Sequence, residues 1–168
     1  MIFVTVGTEK YPFDRLVREI DRLKSKGEIG EVVFIQLGSC KYVPQNCEYR
    51  RFLNFEAMID KIRKARIVVA HAGAGSVLLS LLYNKIPIIV PRLRRYGELV
   101  DNHQLNFAKK AGEKGKAVPV YEIKHLGTII KDYDRLTIPI KKHHIDKYNN
   151  LSNKLDEICN HIVKNAKV

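Results

Sequence analysis

A glycine-rich turn between an apolar strand pattern and an apolar helix holds the residues best suited to chemistry. It reads His71-Ala-Gly-Ala-Gly-Ser76 and follows the run Ile67 to Ala70. Glycines such as Gly73 and Gly75 let a backbone approach a ligand closely, and a helix N-terminus presents unpaired N–H groups and a partial positive charge. The turn is therefore predicted to bind a phosphate-like anion. His71 either donates to a phosphate oxygen or caps the turn.

Several better-known motifs do not fit this chain. The turn lacks the third glycine of a dinucleotide fingerprint and follows a late strand instead of the first one. No Gly-Lys-Ser/Thr of a P-loop and no Gly-x-Ser-x-Gly nucleophile elbow occur. The three cysteines, Cys40, Cys47 and Cys159, are odd in number and have no CxxC spacing. They predict reduced thiols, with neither a disulfide framework nor a metal site.

Two further turns follow strand patterns, Gly7-Thr8 and Pro91-Arg92. The carboxyl ends of parallel strands meet at one edge of a sheet, where open α/β sheets bind ligands. These turns and the glycine-rich one are therefore expected to line one crevice. Beyond them, the polar run from Tyr96 to Gln104 contains Glu98, Asp101 and His103. It predicts either hydrogen bonding to a polyhydroxylated ligand or a solvated helix start.

The periodicity of the chain predicts an α/β fold with a single Rossmann-like parallel sheet. Apolar, β-branched runs that alternate with helical patterns are typical of strands covered on both faces by helices. The predicted strands are Ile2 to Val6, Val32 to Gln36, Ile67 to Ala70, Ile86 to Val90 and Ala117 to Val120. The predicted helices run from Pro12 to Gly27, from Phe55 to Ala65 with Asn54 as cap, from the glycine-rich turn to Asn84, and from Leu99 to Ala111.

The C-terminal part of the chain has a different pattern. Residues 1–140 are predicted to form the ligand-binding domain, and residues 141–168 a separate amphipathic helix after a linker at Pro139. Its apolar residues repeat at threes and fours: Tyr148, Leu151, Leu155, Ile158 and Ile162. That seam packs either on its own domain or on another subunit.

The composition excludes several classes of protein. With 168 residues, 45% hydrophobic and 29% charged, the chain suits an ordinary globular domain. It has no membrane-spanning run and no signal-peptide pattern, so a cytoplasmic location is expected. The net charge of +12 suits a solvated surface, an anionic membrane or a partner subunit. Nucleic acid is not the expected partner, because no aromatic-interleaved basic stripe accompanies the charge.

Taken in order, these motifs resemble the C-terminal domain of glycosyltransferase family 28. Within that family the chain is similar to the stand-alone subunits of the eukaryotic dolichol-linked N-acetylglucosamine transferase and of bacterial capsule and exopolysaccharide transferases. The resemblance covers about residues 1–121. It rests on Val6-Gly-Thr8, Pro12-Phe-Asp-Arg-Leu16, His71 to Ser76, Pro91-Arg92, Tyr96-Gly-Glu98 and Asp101-Asn-His-Gln104.

The resemblance implies one half of a GT-B enzyme that binds a UDP-sugar as substrate and needs no metal or other cofactor. A membrane-anchored partner would bind a lipid-linked saccharide acceptor, keep this subunit at the inner face of the membrane and supply the base of an inverting reaction. His71 would stabilise the leaving phosphate. The residues implied in donor binding are Gly7, Thr8, His71, Gly73, Ala74, Gly75, Ser76, Pro91, Arg92, Glu98, His103 and Gln104.

Two positions depart from the family pattern. Several relatives carry a glutamate for the ribose hydroxyls where this chain has Leu79, and many bacterial relatives have a histidine where it has Glu9-Lys10. Uridine selectivity and any role of the second position are therefore open. The rival interpretations are a nucleotide-sugar-binding module without transfer and, third, a basic RNA-binding domain. The sugar itself is not predicted.

Overall fold

The six strands of the described residues form one parallel sheet. The structure, a computed structural model, describes residues 1–140. The strands are β1 (Ile2–Thr5), β2 (Val33–Gln36), β3 (Glu48–Arg50), β4 (Ile67–His71), β5 (Ile88–Val90) and β6 (Val118–Pro119). Their order is β3-β2-β1-β4-β5-β6, and every neighbouring pair is parallel. The predicted Rossmann-like α/β fold is confirmed.

Helices cover both faces of this sheet. They are α1 (Asp14–Ser25), α2 (Phe55–Lys64), α3 (Ala74–Leu82), α4 (His103–Glu113) and α5 (Leu126–Lys131), with 3-10 turns at Arg94–Tyr96 and Ile123–His125. Alternate residues of a strand point to opposite faces. Thus Ile2 and Val4 of β1 pack with α1 and α5, whereas Phe3 packs on the side of α2 and α3. Phe3 and its neighbours are fully buried.

The amphipathic patterns correctly predicted the long elements. Leu16, Val17, Ile20 and Leu23 of α1 are buried, and each such side chain contributes about 1.5–3 kcal/mol when removed from water. The Asn54 side chain accepts a hydrogen bond from the Ala57 amide (2.8 Å) and caps α2, as predicted. Helix α4 starts at His103, four residues after the predicted start, because the preceding segment is taken up by a 3-10 turn and a loop.

The sequence did not predict two short elements. Strand β3 is an edge strand whose Glu48, Tyr49 and Arg50 are all exposed, so it carries no apolar signal. Helix α5 has six residues, too few for a clear period. The linker predicted at Pro139 is not seen, since residues 133–140, and Pro139 among them, are helical.

The chain forms one unit over Met1–Tyr133, and a second unit begins at Asp134. The helix predicted for residues 141–168, and Cys159 with it, lie outside the described residues. In the part that is described, no helix is both long and apolar enough to span a bilayer.

Candidate functional site

The candidate site lies where the strand order of the sheet reverses. Strand β1 has β2 on one side and β4 on the other, so successive connections leave in opposite directions at this point. Crevices of this kind, beyond the carboxyl ends of the strands, are the usual ligand sites of open parallel sheets. The loop at Gly7 follows β1 and the turn at Gly73 follows β4, and the fold places both beside this crevice.

The N-terminus of α3 is open toward this crevice. Gly73 is the cap residue and no side chain caps the helix, and the first turn contains no acidic residue. Within the described residues, the first amide of this helix that donates an intrahelical hydrogen bond is that of Val77, to the Gly73 carbonyl (3.2 Å). The amides of Ala74, Gly75 and Ser76 therefore remain available to an anion, which the helix dipole also favours.

The two glycines of the predicted turn have different roles. A Cβ at Gly73 would collide with Nε2 of His71, so this glycine makes room for the imidazole and not for a ligand. A Cβ at Gly75 would meet nothing within 4 Å, so Gly75 borders open space. Gly7 has a φ of +78°, and its Cβ would lie 2.6 Å from Cε1 of His71. The imidazole is therefore held between two glycines of neighbouring loops.

His71 is a neutral imidazole at physiological pH. Burial, and after it the positive charge of Arg92, together lower its pKa to about 4, against the opposing effect of the Thr5 backbone. Within residues 1–140, its buried Nδ1 has no hydrogen-bond partner of ordinary geometry. The ring sits beside the open amides of α3, where a neutral imidazole can donate one hydrogen bond to an oxyanion without itself titrating.

Two buried polar residues that the sequence analysis missed hold the loop at Gly7. The Thr5 hydroxyl donates to Oε1 of Gln36 (2.5 Å) and accepts from the Gly7 amide (3.2 Å). The Gln36 amide group donates to the Gly7 carbonyl (3.5 Å). Each is a polar residue at the end of an otherwise apolar strand pattern, and that position was the available signal.

The crevice is a cavity of about 430 Å³ lined by both polar and apolar residues. Leu79 of α3 is one of the apolar residues, at the position where relatives are expected to have a glutamate. The polar lining includes Thr5, Gly7, Thr8, Glu9, Gln36, Asn54, His71, Ser76 and Ser80, and the apolar lining Leu53, Phe55, Met58, Ile62, Val68 and Leu79.

A larger cleft of about 580 Å³ lies beside β3, lined by residues that include Tyr49, Arg50 and Lys61. It has neither a helix N-terminus of α3's kind nor a histidine among its lining residues. It is therefore the less suitable place for a phosphorylated ligand, despite its size.

Three residues predicted to contact the ligand have side chains committed elsewhere. Arg92 is 1% exposed, and its guanidinium donates to the carbonyls of Val6 (2.7 Å) and Tyr11 (2.6 Å). Gln104 is buried and accepts a hydrogen bond from the Arg92 backbone amide (3.1 Å). Glu98 is buried too, and its carboxylate accepts from the Leu93 amide (3.0 Å). None of the three lines the cavity.

Arg15 explains why Glu98 is buried. Its Nε and Nη2 donate to the two carboxylate oxygens of Glu98, each at 2.9 Å, and Nη2 also donates to the Pro91 carbonyl (3.0 Å). The polar groups of Pro91, Glu98 and Gln104 thus pair within the protein, because unpaired polar groups are costly inside it. The contacts predicted for Pro91 and Arg92 with the nucleotide, for Gln104 with the sugar and for Glu98 with ribose or sugar stay predictions.

His103 is the remaining predicted residue, and it is exposed. Its Nδ1 and its amide both lie within hydrogen-bond distance of Asp101 Oδ1, at 2.5 Å and 3.0 Å. The hydrogen bond from the His103 backbone amide is the main cause of the lowered pKa of Asp101. His103 begins α4 and does not line the cavity, so of the three residues predicted in the polar run His103 is exposed and Glu98 and Gln104 are buried.

The cysteines at positions 40 and 47 are poor nucleophiles. Burial is the main cause that raises the pKa of Cys40 to about 11 and that of Cys47 to about 12. Both are free thiols, and the Cys40 sulfur accepts a hydrogen bond from the Phe13 amide (3.2 Å). They serve packing, since the thiolate is the reactive form.

The sequence matches a known family over nearly its whole length. The profile described as "Glycosyltransferase family 28 C-terminal domain" matches residues 1–162. The human protein "UDP-N-acetylglucosamine transferase subunit ALG13" is 31% identical over 123 residues, which are 68% of this chain and 10% of the human protein. The mouse protein of the same name is 30% identical over 122 residues, 67% of this chain and 10% of that protein. This chain thus spans a small part of the relatives' length.

Solved structures share the fold. A "Glycotransferase of kitacinnamycin" has a TM-score of 0.61 at 13% identity and covers 84% of this chain and 37% of its own. "CalG4, the Calicheamicin Glycosyltransferase" has a TM-score of 0.58 at 15% identity, covering 84% and 35%. At these identities the likeness concerns architecture alone.

Proposed function

On the premise that this chain belongs to glycosyltransferase family 28, we propose that it is the donor-binding subunit of a two-subunit hexosyltransferase that uses a UDP-sugar. The observation that carries the proposal is the open N-terminus of α3 beside a neutral His71, at the switch point of the sheet. A diphosphate matches this place in charge and in its need for several N–H donors.

The diphosphate is expected to lie against the amides of Ala74, Gly75 and Ser76. The uracil ring then lies against apolar lining residues such as Leu53 and Leu79, where a flat ring displaces water from apolar surface. Leu79 offers the ribose no hydrogen bond. Thr8, Gln36 and Asn54 line the same cavity and provide polar groups for the ribose hydroxyls.

The reaction follows from where charge develops. The acceptor hydroxyl attacks the anomeric carbon opposite the leaving group, so the configuration inverts and the electron pair of the broken C–O bond stays on UDP. The open amides and the His71 donor stabilise that charge, and no metal is needed for it. The acceptor proton goes to a base on a partner subunit, since this proposal assigns His71 to the leaving group.

The proposal also extends to the partner subunit, the acceptor and the cellular location. The printed name of the curated relatives describes a subunit of a UDP-N-acetylglucosamine transferase, which makes UDP-N-acetylglucosamine the first donor to test. We propose a membrane-anchored partner that binds a lipid-linked saccharide and holds this chain at the cytoplasmic face of the membrane. Fractionation with and without the co-expressed partner tests the location.

The binding site is tested by titrating UDP into the purified chain in a calorimeter, in buffer containing EDTA. We expect wild-type binding, and at least a hundredfold loss in Gly75→Leu, because this side chain would fill open space beside the amides without touching protein atoms. Gly30→Leu is the matched control, since Gly30 is exposed and also has nothing within 4 Å of its added Cβ. Absence of wild-type binding to UDP would overturn the proposed function.

Transfer is tested separately. The chain co-expressed with its membrane partner is assayed with UDP-N-acetylglucosamine, UDP-glucose, UDP-galactose and UDP-glucuronate, with and without EDTA. We expect turnover with one donor, insensitive to EDTA, and none from either subunit alone. UDP binding without turnover in the complex would support a module that binds nucleotide sugars without transferring them.

A further inference from the structure

Arg92 is a buried cation without a carboxylate partner. Its side chain is 1% exposed and is the largest among the fully buried ones. Its guanidinium donates only to backbone carbonyls, those of Val6 (2.7 Å), Tyr11 (2.6 Å) and Glu98 (3.3 Å). Its Nε is buried and has no hydrogen-bond partner within residues 1–140. A buried charge of this kind is costly to fold and therefore calls for an explanation.

Arg15 provides the contrast within the same network. Both carboxylate oxygens of Glu98 are bonded to Arg15, whose charge is thereby neutralised. No carboxylate of the described segment lies within ion-pair distance of Arg92, and Glu98 and Glu9 act on it only at longer range. Of these two arginines, only Arg92 keeps an unneutralised positive charge inside the protein.

The position of Arg92 joins it to the anion site. Its Nη2 holds the carbonyl of Val6, and the next residue, Gly7, packs against the ring of His71. Strand β5, which ends two residues before Arg92, pairs with β4 so that Val90 lies opposite His71. The guanidinium is therefore joined to the imidazole through Val6 and Gly7, since it bonds the one residue and the ring packs against the next.

We propose that Arg92 is a positioning residue whose unneutralised buried charge opposes protonation of the His71 imidazole and adds a fixed positive potential to the diphosphate site. The part that concerns the diphosphate rests on the proposed function, and the part that concerns the imidazole does not. In a low-dielectric interior a unit charge acts strongly over several ångströms and salt screens it little.

The proposal accounts both for the lowered pKa of His71 and for the lack of a carboxylate partner at Arg92. Within residues 1–140, Arg92 is the charged group that lowers the pKa of His71, after burial as the main cause, and Glu9 lines the same cavity. A bound diphosphate would at last supply the negative charge that the buried guanidinium lacks. An arginine suits the position because its guanidinium can hold three carbonyls while staying charged.

The test is NMR titration of His71 in the ligand-free chain, with the ring signals assigned by comparison with His71→Asn. Wild type is expected to titrate near pH 4. Arg92→Gln, which keeps an amide donor but removes the charge, is expected to raise the His71 pKa by about one unit. Arg92→Lys restores the charge without the fork of donors and is expected to return the pKa to within about 0.3 of wild type.

Binding of UDP is measured on the same proteins. We expect about tenfold weaker binding for Arg92→Gln and less than threefold for Arg92→Lys. The double variant Arg15→Gln/Glu98→Gln removes a neutralised pair and is the matched control, with an unchanged His71 pKa. If all Arg92 variants titrate like wild type, or if wild-type His71 titrates at 6.5 or above, the proposal fails.

The wild-type titration needs no variant of Arg92 and so can overturn the proposal even if Arg92→Gln does not fold. It also separates the two proposals. A wild-type chain that shows the expected His71 titrations but binds no UDP overturns the proposed function and leaves the effect of Arg92 on the imidazole in place.

Discussion

The loops after β1 and β4 and the segment after β5 look alike as sequence, yet the structure uses them in opposite ways. The pair of loops after β1 and β4, like the segment after β5, contains glycines, a basic side chain and several hydrogen-bonding groups. At α3, no side chain caps the amides of Ala74, Gly75 and Ser76, and Gly75 borders open space. After β5, the polar groups of Arg92, Glu98 and Gln104 are turned inward, and apart from Nε of Arg92 they are paired.

The difference teaches which observation identifies a site. Polar residue types indicate hydrogen bonding but not its partner, since internal networks need the same groups as ligands do. An open helix N-terminus is more telling, because its backbone donors have no partner within the helix. We call the buried hydrogen-bonding group of Arg15, Arg92, Glu98 and Gln104 the inward network. Its effects and those of the crevice beside α3 are separated by the predictions below, from the largest expected effect to the smallest.

The inward network should decide stability. Glu98→Ala leaves the guanidinium of Arg15 and the Leu93 amide without their carboxylate, and we expect a loss of about 3–5 kcal/mol in the free energy of unfolding. Urea unfolding measures it. Asp60→Ala, which breaks the exposed pair with Lys64, is the control and should cost less than about 0.5 kcal/mol. Equal losses would show that the network is not special.

The loop at Gly7 should be sensitive to a single methyl group. Gly7→Ala places a side chain at a φ of +78° and against His71, and we expect a loss of about 2–4 kcal/mol together with loss of UDP binding. Gly27→Ala isolates the backbone part, because Gly27 has a φ of +72° and nothing within 4 Å. It should cost about 1–2 kcal/mol. A Gly7→Ala loss no larger than this would contradict the packing against the ring.

The imidazole links the crevice to pH. The pKa of His71 is lowered to about 4 from an ordinary 6.5, so the unfolded chain binds a proton in that window before the folded chain does. Wild type should therefore lose stability as pH falls from 6.5 toward 4, by up to about 2 kcal/mol from this residue. His71→Asn should lose that much less over the same range. Parallel urea curves at pH 6.5 and 4.5 measure the difference.

The supports of the loop should have the smallest effect. Thr5→Val removes the donor to Gln36 and the acceptor of the Gly7 amide, and we expect a loss of about 1–2 kcal/mol with a few-fold weaker UDP binding. Thr128→Val at an exposed helix position is the matched control and should change neither. Unchanged UDP affinity in Thr5→Val would show that the loop does not depend on this pair.

How much the sequence predicts depends on whether a signal is local. The apolar periods of α1 and β4 and the Asn54 cap are local, so fold class, long elements and the glycine-rich turn were within reach. The exposed edge strand β3 carries no apolar pattern and was not. Thr5 and Gln36 lie 31 positions apart, and their hydrogen bond is formed only when β1 pairs with β2.

By itself, the sequence determined a parallel α/β sheet with an uncapped, glycine-rich helix start at one strand end, because the period of apolar residues and the freedom of glycine act over a few neighbours. The tertiary structure decided which polar residues face the crevice. It turned Arg92, Glu98 and Gln104 inward and left His71 between Gly7 and Gly73. Burial and pairing across distant loops are properties of packing, and no local pattern encodes them.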